Sequence, residues 1–240
     1  AAMPELTLTK EDTKTVITGK EFSMVFDEQS GEMTSWKSEG IQLIDRGPVL
    51  SLWRAPTDND SLSGAASDWR GTGIHAMKRD ITRFEAILAT PAKARVVVQT
   101  VELAAKGCAH CEVTYTYSIF GSGDVMLETA FKPVKGFATV ARVGLEMCLP
   151  RGFNRMRWYG RGPHENYPDR MLGAAVGVYD EEIRPENMPY VMPQEYGNRT
   201  DVRWAALANA QGVGLLVVGM PTFQVSAHPF STAKLEEAQQ

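Results

Sequence analysis

The sequence predicts an all-β protein, and three observations predict it. Short runs alternate apolar and polar residues along most of the chain, which puts one face of each strand in a core and the other in water, as in antiparallel sheets. Clusters of Gly, Pro, Asn and Ser punctuate those runs. Long helical periods between strands, which a βαβ rhythm would need, are missing. About ten such runs indicate a β-sandwich or barrel, and a length of 240 residues favours a large sandwich with long connections.

The elements follow in chain order. Glu21–Asp27 alternates, Gln29-Ser30-Gly31 turns, and Glu32–Lys37 returns, which is a hairpin. Val49–Trp53 is a short apolar run, and Arg95–Leu103 begins β-branched and continues alternating. Glu112–Phe120 and Asp124–Phe131 flank Gly121-Ser122-Gly123, a second hairpin. Thr139–Leu149 alternates again, Ala174–Tyr179 and Leu215–Val218 are short apolar runs, and Arg203–Asn209 and Phe223–His228 alternate. Helical signals are few. Ser67–Met77 contains two glycines and suits a short turn. Thr232–Gln240 is the best helix start, with Ser231 or Thr232 as cap and Glu236 and Glu237 in the early turns.

Composition excludes some functions. Hydrophobic residues at 43% and charged residues at 22% describe a globular chain able to bury a sizeable core. A net charge of −4 without clustered Lys and Arg argues against a nucleic-acid partner. No apolar run approaches the length that spans a bilayer. Residues 1–20 begin AAMPELTLTKEDTK, without the basic and apolar regions of a signal peptide, and read as a cut end or linker before a sandwich domain over 21–240. That domain reads as truncated at its C-terminus, because the last helix stops early. The compartment stays open between bacterial cytoplasm and periplasm. Cys108 and Cys111 frame His110 in a C-A-H-C motif. With no second C-x-x-C pair to complete a zinc site, and strand-like flanks in place of a redox helix, two ordinary thiols near a strand start are the favoured reading. The third cysteine is Cys148.

Three loops are too rich to be plain connectors. Trp53–Asp60 (WRAPTDND) holds Arg54, Asp58, Asn59 and Asp60. It suits a sugar or calcium loop, or a loop knitted by Arg–Asp pairs, and the last is favoured because a calcium site needs more oxygens than three neighbours give. In Trp158–Arg170 (WYGRGPHENYPDR), Trp158 and Tyr159 end a strand that Gly160-Arg161-Gly162-Pro163 breaks. His164, Glu165, Asn166, Tyr167, Asp169 and Arg170 follow. Pro189–Arg203 (PYVMPQEYGNRTDVR) repeats the vocabulary with Glu195, Asn198 and Arg199. Acid–base chemistry, sugar binding and a neutralised interface all fit these residue types. Matched charge in the first two loops predicts one polar network joining Arg54, Asp58, Asp60, Glu165, Asp169 and Arg170.

WRAPTDND, WYGRGPHENYPDR and PYVMPQEYGNRTDVRW, in that order, resemble the C-terminal, small-chain domain of family 2 β-galactosidases from about Phe22 onward. The resemblance implies a β-supersandwich of the galactose-mutarotase type. It also implies a retaining glycosidase whose two catalytic glutamates lie on an upstream barrel, so that no catalytic residue, metal or cofactor is expected in this stretch. Any Mg or Na of the parent would sit on other domains. The implied partners are that barrel, a galactoside such as lactose and, for the parent, further copies of itself. A loop that closes over the sugar would lie beyond Gln240. An independent carbohydrate-binding or mutarotase-like domain is the alternative. It would need an acid–base pair such as His164 or His75 facing Glu195, yet none of the four histidines, His75, His110, His164 and His228, sits in a matching motif.

Overall fold

A computed structural model describes residues 2–105, 107–187 and 189–238. The strands are β1 (Thr7–Glu11), β2 (Lys14–Thr18), β3 (Phe22–Asp27), β4 (Met33–Ser38), β5 (Ile41–Ile44), β6 (Arg46–Ser51), β7 (Met77–Thr90), β8 (Lys93–Ala104), β9 (His110–Phe120), β10 (Val125–Lys135), β11 (Gly144–Cys148), β12 (Arg155–Gly162), β13 (Ala175–Glu182), β14 (Arg199–Ala208) and β15 (Gly214–Val225). Among the described residues three short helices, α1 (Asp58–Leu62), α2 (Ala65–Thr72) and α3 (Thr232–Glu237), punctuate them. The chain divides into two compact units: residues 1–53 with 64–150, and residues 54–63 with 151–240.

The first unit carries antiparallel sheets in the orders β1-β2-β3-β4-β5 and β10-β9-β8-β7, with a β11-β6 pair. Alternation decides the packing. Ile17, Met24, Phe26 and Met33 are buried from one sheet, and Val96, Val98, Val113, Tyr117 and Ile119 from the other. The Phe26 and Tyr117 rings meet edge-on at 5.1 Å, so the two sheets face each other as a sandwich. Both predicted hairpins are present. Asp27 accepts from the Gln29 and Ser30 amides and Gly31 takes a φ of 68°, which is why the first turn needs Asp and Gly.

Several boundaries differ from the sequence reading. The stretch 1–20 contains β1 and β2, whose Thr15 and Ile17 are buried. The strand β7 went unread because its two faces are both half exposed, so the alternation of MKRDITRFEAILAT carries little contrast. Only Gly144–Cys148 of Thr139–Leu149 is strand, and it pairs with β6 through a bulge. The stretch 67–77 holds most of α2 and a 3-10 turn. Cys111 is buried inside β9, and burial, with Glu102 adding, pushes its thiol up to about 12. In α3, Ser231 caps by accepting from the Lys234 amide, as the sequence predicts, and residues 239–240 of that expectation lie outside the described residues.

The second unit is one antiparallel sheet in the order β13-β12-β14-β15 with α1 and α3. Its core is Met156, Trp158, Val202 and Ala205. A second cluster joins Ala55, Tyr196 and Leu235. Among the described residues no helix is long and apolar enough to cross a membrane.

Candidate functional site: three interlocked loops

The first loop is a helix entry. Thr57 is the N-cap of α1: its hydroxyl accepts from the Asp60 amide at 3.2 Å, while the Asp60 carboxylate accepts from the Thr57 amide at 2.9 Å. This reciprocal capping box is legible in Thr-x-x-Asp, though the sequence reading above favours only the Arg–Asp pairing. Arg54 completes it with two bonds, Nε to Asp60 Oδ2 at 3.1 Å and Nη2 to Oδ1 at 2.7 Å. The Asp60 carboxylate is therefore fully engaged by nitrogen donors, while Asp58 and Asn59 are exposed. Among the described residues, no three His, Cys, Asp or Glu side chains gather as a metal would require.

The second loop begins later than expected. The strand β12 continues through Gly160 and ends at Gly162, so the glycines do not break it. Their role is close approach: a Cβ at Gly160 would lie 2.9 Å from Val202 Cα, and one at Gly162 would lie 2.7 Å from the Tyr179 ring. Trp158 points inward and its indole N–H donates to the Arg161 carbonyl at 3.0 Å. Arg161 clasps the far end of the loop. Its Nη1 donates to the carbonyls of Met171 (3.3 Å) and Ala174 (2.9 Å), and its Nε donates to Asp201 at 2.5 Å.

Asn166 is the hinge pin between the second and third loops. It is 0% exposed, and every polar group on it is used. Its Oδ1 accepts from the Thr200 amide (2.9 Å) and hydroxyl (2.5 Å), and its Nδ2 donates to the His164 carbonyl (3.0 Å). Its backbone exchanges bonds with Asn198, N–H to O at 2.8 Å and O from Nδ2 at 2.9 Å. Asn198 in turn donates to Gln224.

Glu165 is the second tie. One oxygen accepts from the Gly197 amide at 2.7 Å, and the other accepts from both Arg170 and the Tyr190 hydroxyl. Burial acts to raise its pKa, but Tyr190, Gly197 and Arg170 outweigh burial and hold the carboxyl below its ordinary value. Arg170 also stacks over Tyr167 at 4.9 Å. Burial, reinforced by Glu195 and Glu165, drives the Tyr167 phenol well above its ordinary range.

The third loop is the hub. It meets the first loop through Gln194, which bonds the Asp58 amide and carboxylate, and through the Glu195 amide, which donates to the Ala55 carbonyl at 3.1 Å. It meets the second loop through Tyr190, Gly197 and Asn198. The expected single network of Arg54, Asp58, Asp60, Glu165, Asp169 and Arg170 is therefore corrected: Arg54–Asp60 closes within the first loop, Arg170–Glu165 within the second, Asp169 is exposed, and the third loop ties the two pairs together. Gln194, Tyr190 and Thr200 were not singled out, because amide and hydroxyl side chains in a loop carry no pattern until their partners are known. Arg199 opens β14 and is 5% exposed. It donates to the Gly197 and Asn198 carbonyls and to Glu181 at 2.6 Å, and lies 4.9 Å over the Trp158 ring. Burial lowers its pKa more than Glu181 and Glu165 raise it.

The candidate residues thus divide. Trp158, Asn166, Asn198 and Arg199 are buried and position the loops; Asp60 is buried too, held by Arg54, which like Arg161 is a part-buried clasp. His164 and Asp169 are exposed. A cleft of about 520 Å³ opens beside the network, lined among others by His164, Glu165, Glu181, Arg184, Tyr196 and Arg199.

The comparisons with known proteins agree with this loop vocabulary. The family model described as beta galactosidase small chain matches residues 18–240. The chain is 34% identical to a beta-galactosidase of Priestia megaterium over 98% of its own length, and 31% identical to one of Lactobacillus delbrueckii subsp. bulgaricus over 96%. It is also 32% identical to a beta-galactosidase of Bifidobacterium adolescentis over 92%. The chain spans only about a fifth of the length of these curated relatives, 22%, 22% and 21% respectively. With that model matched over residues 18–240 and relatives above 30% identical along nearly its whole length, the chain belongs to the beta-galactosidase small-chain family.

Proposed function

We propose that this chain is the accessory small-chain domain of a longer, retaining β-galactosidase, and that the three-loop end docks it against the catalytic domain near the active site. The observation that carries this is the pairing of a rigid polar interlock with bare apolar tips. Leu62 ends α1 at 87% exposure, Leu172 follows the second loop at 94%, and Val191 and Met192 in the third are at 104% and 54%. Single exposed apolar residues are ordinary. Here the third loop carries them and the first two are followed within two residues by one each, beside hydrogen-bonded anchors, as in a surface shaped for a partner.

The chemistry of the loops supports an accessory role. A glycosidase needs one carboxyl kept protonated as general acid and a second roughly 5 Å away as nucleophile. Glu165 is the best-buried loop carboxyl beside the cleft, and its partners hold it ionised, the opposite of a poised acid. On this reading, terminal β-galactosides such as lactose are hydrolysed by carboxylates outside these residues.

The test is complementation. The 240-residue chain and the remainder of the longer polypeptide are produced separately and assayed on nitrophenyl β-galactoside. Neither should turn over alone, and mixing should restore hydrolysis. Turnover by the 240-residue chain alone, or full activity of the remainder without it, would overturn the reading.

A further inference from the structure

We propose that the outer edge of β15 is a strand-addition site, filled by a strand from elsewhere in the same longer polypeptide. The proposal rests on the reading above only in taking the chain as part of a longer β-galactosidase. It concerns a surface other than the docking loops.

Three observations carry it. First, β15 is an edge: in the sheet order β13-β12-β14-β15 its one neighbour among the described residues is β14. Second, its leading part is exposed on both faces over Leu216–Val218, while Phe223 and Val225 farther along pack against the core. Leu216 (60%) and Val218 (63%) share a face with their register partners Ala206 and Trp204, and Val217 (36%) lies on the opposite face with Ala205. The exposed face continues in register as Val178, Tyr159, Trp204 and Val218, an apolar row that crosses all four strands. Third, the Gly214–Val218 run lacks the usual protection, since Pro221 and the register shift that skips residues 219–222 guard only the later part of the strand. Edge strands are normally blunted by charge, and the opposite edge, β13, carries Asp180, Glu181 and Glu182. The twelve residues of β15, GLLVVGMPTFQV, contain no charge at all.

Unpaired N–H and C=O groups flanked by bare Leu and Val on both faces are what strand addition uses: main-chain bonds give affinity and alternate side chains are covered in pairs. The occupant follows from length and area. The matched stretch is 22% of the Priestia relative, so most of such a polypeptide lies outside it and can present a strand at the millimolar effective concentration of a tethered segment. A second copy would have to bind through the Gly214–Val218 run that pairs with β14. Such a run is only about 17 Å long, too short for the ~1,000 Å² that a stable interface between copies needs.

Hydrogen exchange tests this. Amide exchange across Gly214–Val218 is compared between the 240-residue chain and the longer β-galactosidase that contains it. Amides bonded to β14 should be protected in both. The alternate, outward amides should exchange at least about 100-fold more slowly in the longer protein. Equal exchange of the outward amides in both would overturn the proposal, and so would protection that appears only as concentration rises, which would assign the edge to a second copy. The complementation assay reads loop docking and this measurement reads the edge, so one can fail without the other.

Discussion

Two clusters in this molecule are built from the same three residue types. In the first unit, Arg79 donates from Nε to Glu102 at 2.8 Å, from Nη1 to Glu32 at 3.2 Å and from Nη2 to the Tyr115 hydroxyl at 3.4 Å. Thr100 donates to Glu102, and the Leu50 amide donates to Tyr115. In the second unit, Arg170, Glu165 and Tyr190 form the corresponding trio. The first trio hangs on the regular strands β7, β8 and β9, where register places Arg79 opposite Glu102, and it is sealed. Burial drives Tyr115 up to about 12 even with Arg79 beside it. The second trio hangs on loops, with half of Arg170 in water and bare Leu172 and Val191 at its border. The same three residue types are sealed where strands fix them and half exposed where loops carry them.

The comparison breaks most visibly at the arginines. Arg79→Ala strands Glu102 in a buried site, and unfolding of the first unit in urea should lose ~3–5 kcal/mol. Arg170→Ala should cost the second unit no more than ~1 kcal/mol, because a half-exposed ion pair is largely replaced by water. Equal losses would erase the distinction. Next in size is Asn166→Ala, which leaves the Thr200 amide buried without an acceptor. It should cost about 1–3 kcal/mol in the same experiment.

A smaller effect is read in pH. The Glu165 carboxyl is held below its ordinary value when folded, so the stability it contributes is present above the unfolded carboxylate pKa, about 4, and fades as pH falls through the lower folded value. The stability gap between the parent chain and Glu165→Gln should therefore be widest near neutrality and close in acid. A gap that widened in acid would contradict the assignment. Smallest of all is Leu172→Ser. Its isolated stability should move within about 0.5 kcal/mol, because the side chain touches solvent rather than core.

Legibility in the sequence followed the same division. The β3–β4 and β9–β10 hairpins were readable because their turns need glycine at a positive φ and their strands alternate cleanly. In contrast, β7 escaped because neither of its faces is fully buried. The three loops announced themselves by composition, and their order carried the family. Their wiring did not. That Gln194 ties the third loop to the first helix, and that Asn166 is sealed rather than offered to a ligand, depends on contacts between residues more than thirty positions apart. Composition also cannot tell a glycine that ends a strand from Gly160, which lets β12 approach Val202.

The most direct measurement of the central claim is complementation with charged loop tips. Leu172→Lys and Val191→Lys are placed together in the 240-residue chain, and its ability to restore galactoside hydrolysis to the remainder of the polypeptide is titrated. Docking through the three-loop end predicts that at least tenfold more chain is needed, about 1.4 kcal/mol of lost affinity, while the melting temperature of the isolated chain stays within about 2 °C. Restoration at the parent concentration, with both lysines in place, would contradict it.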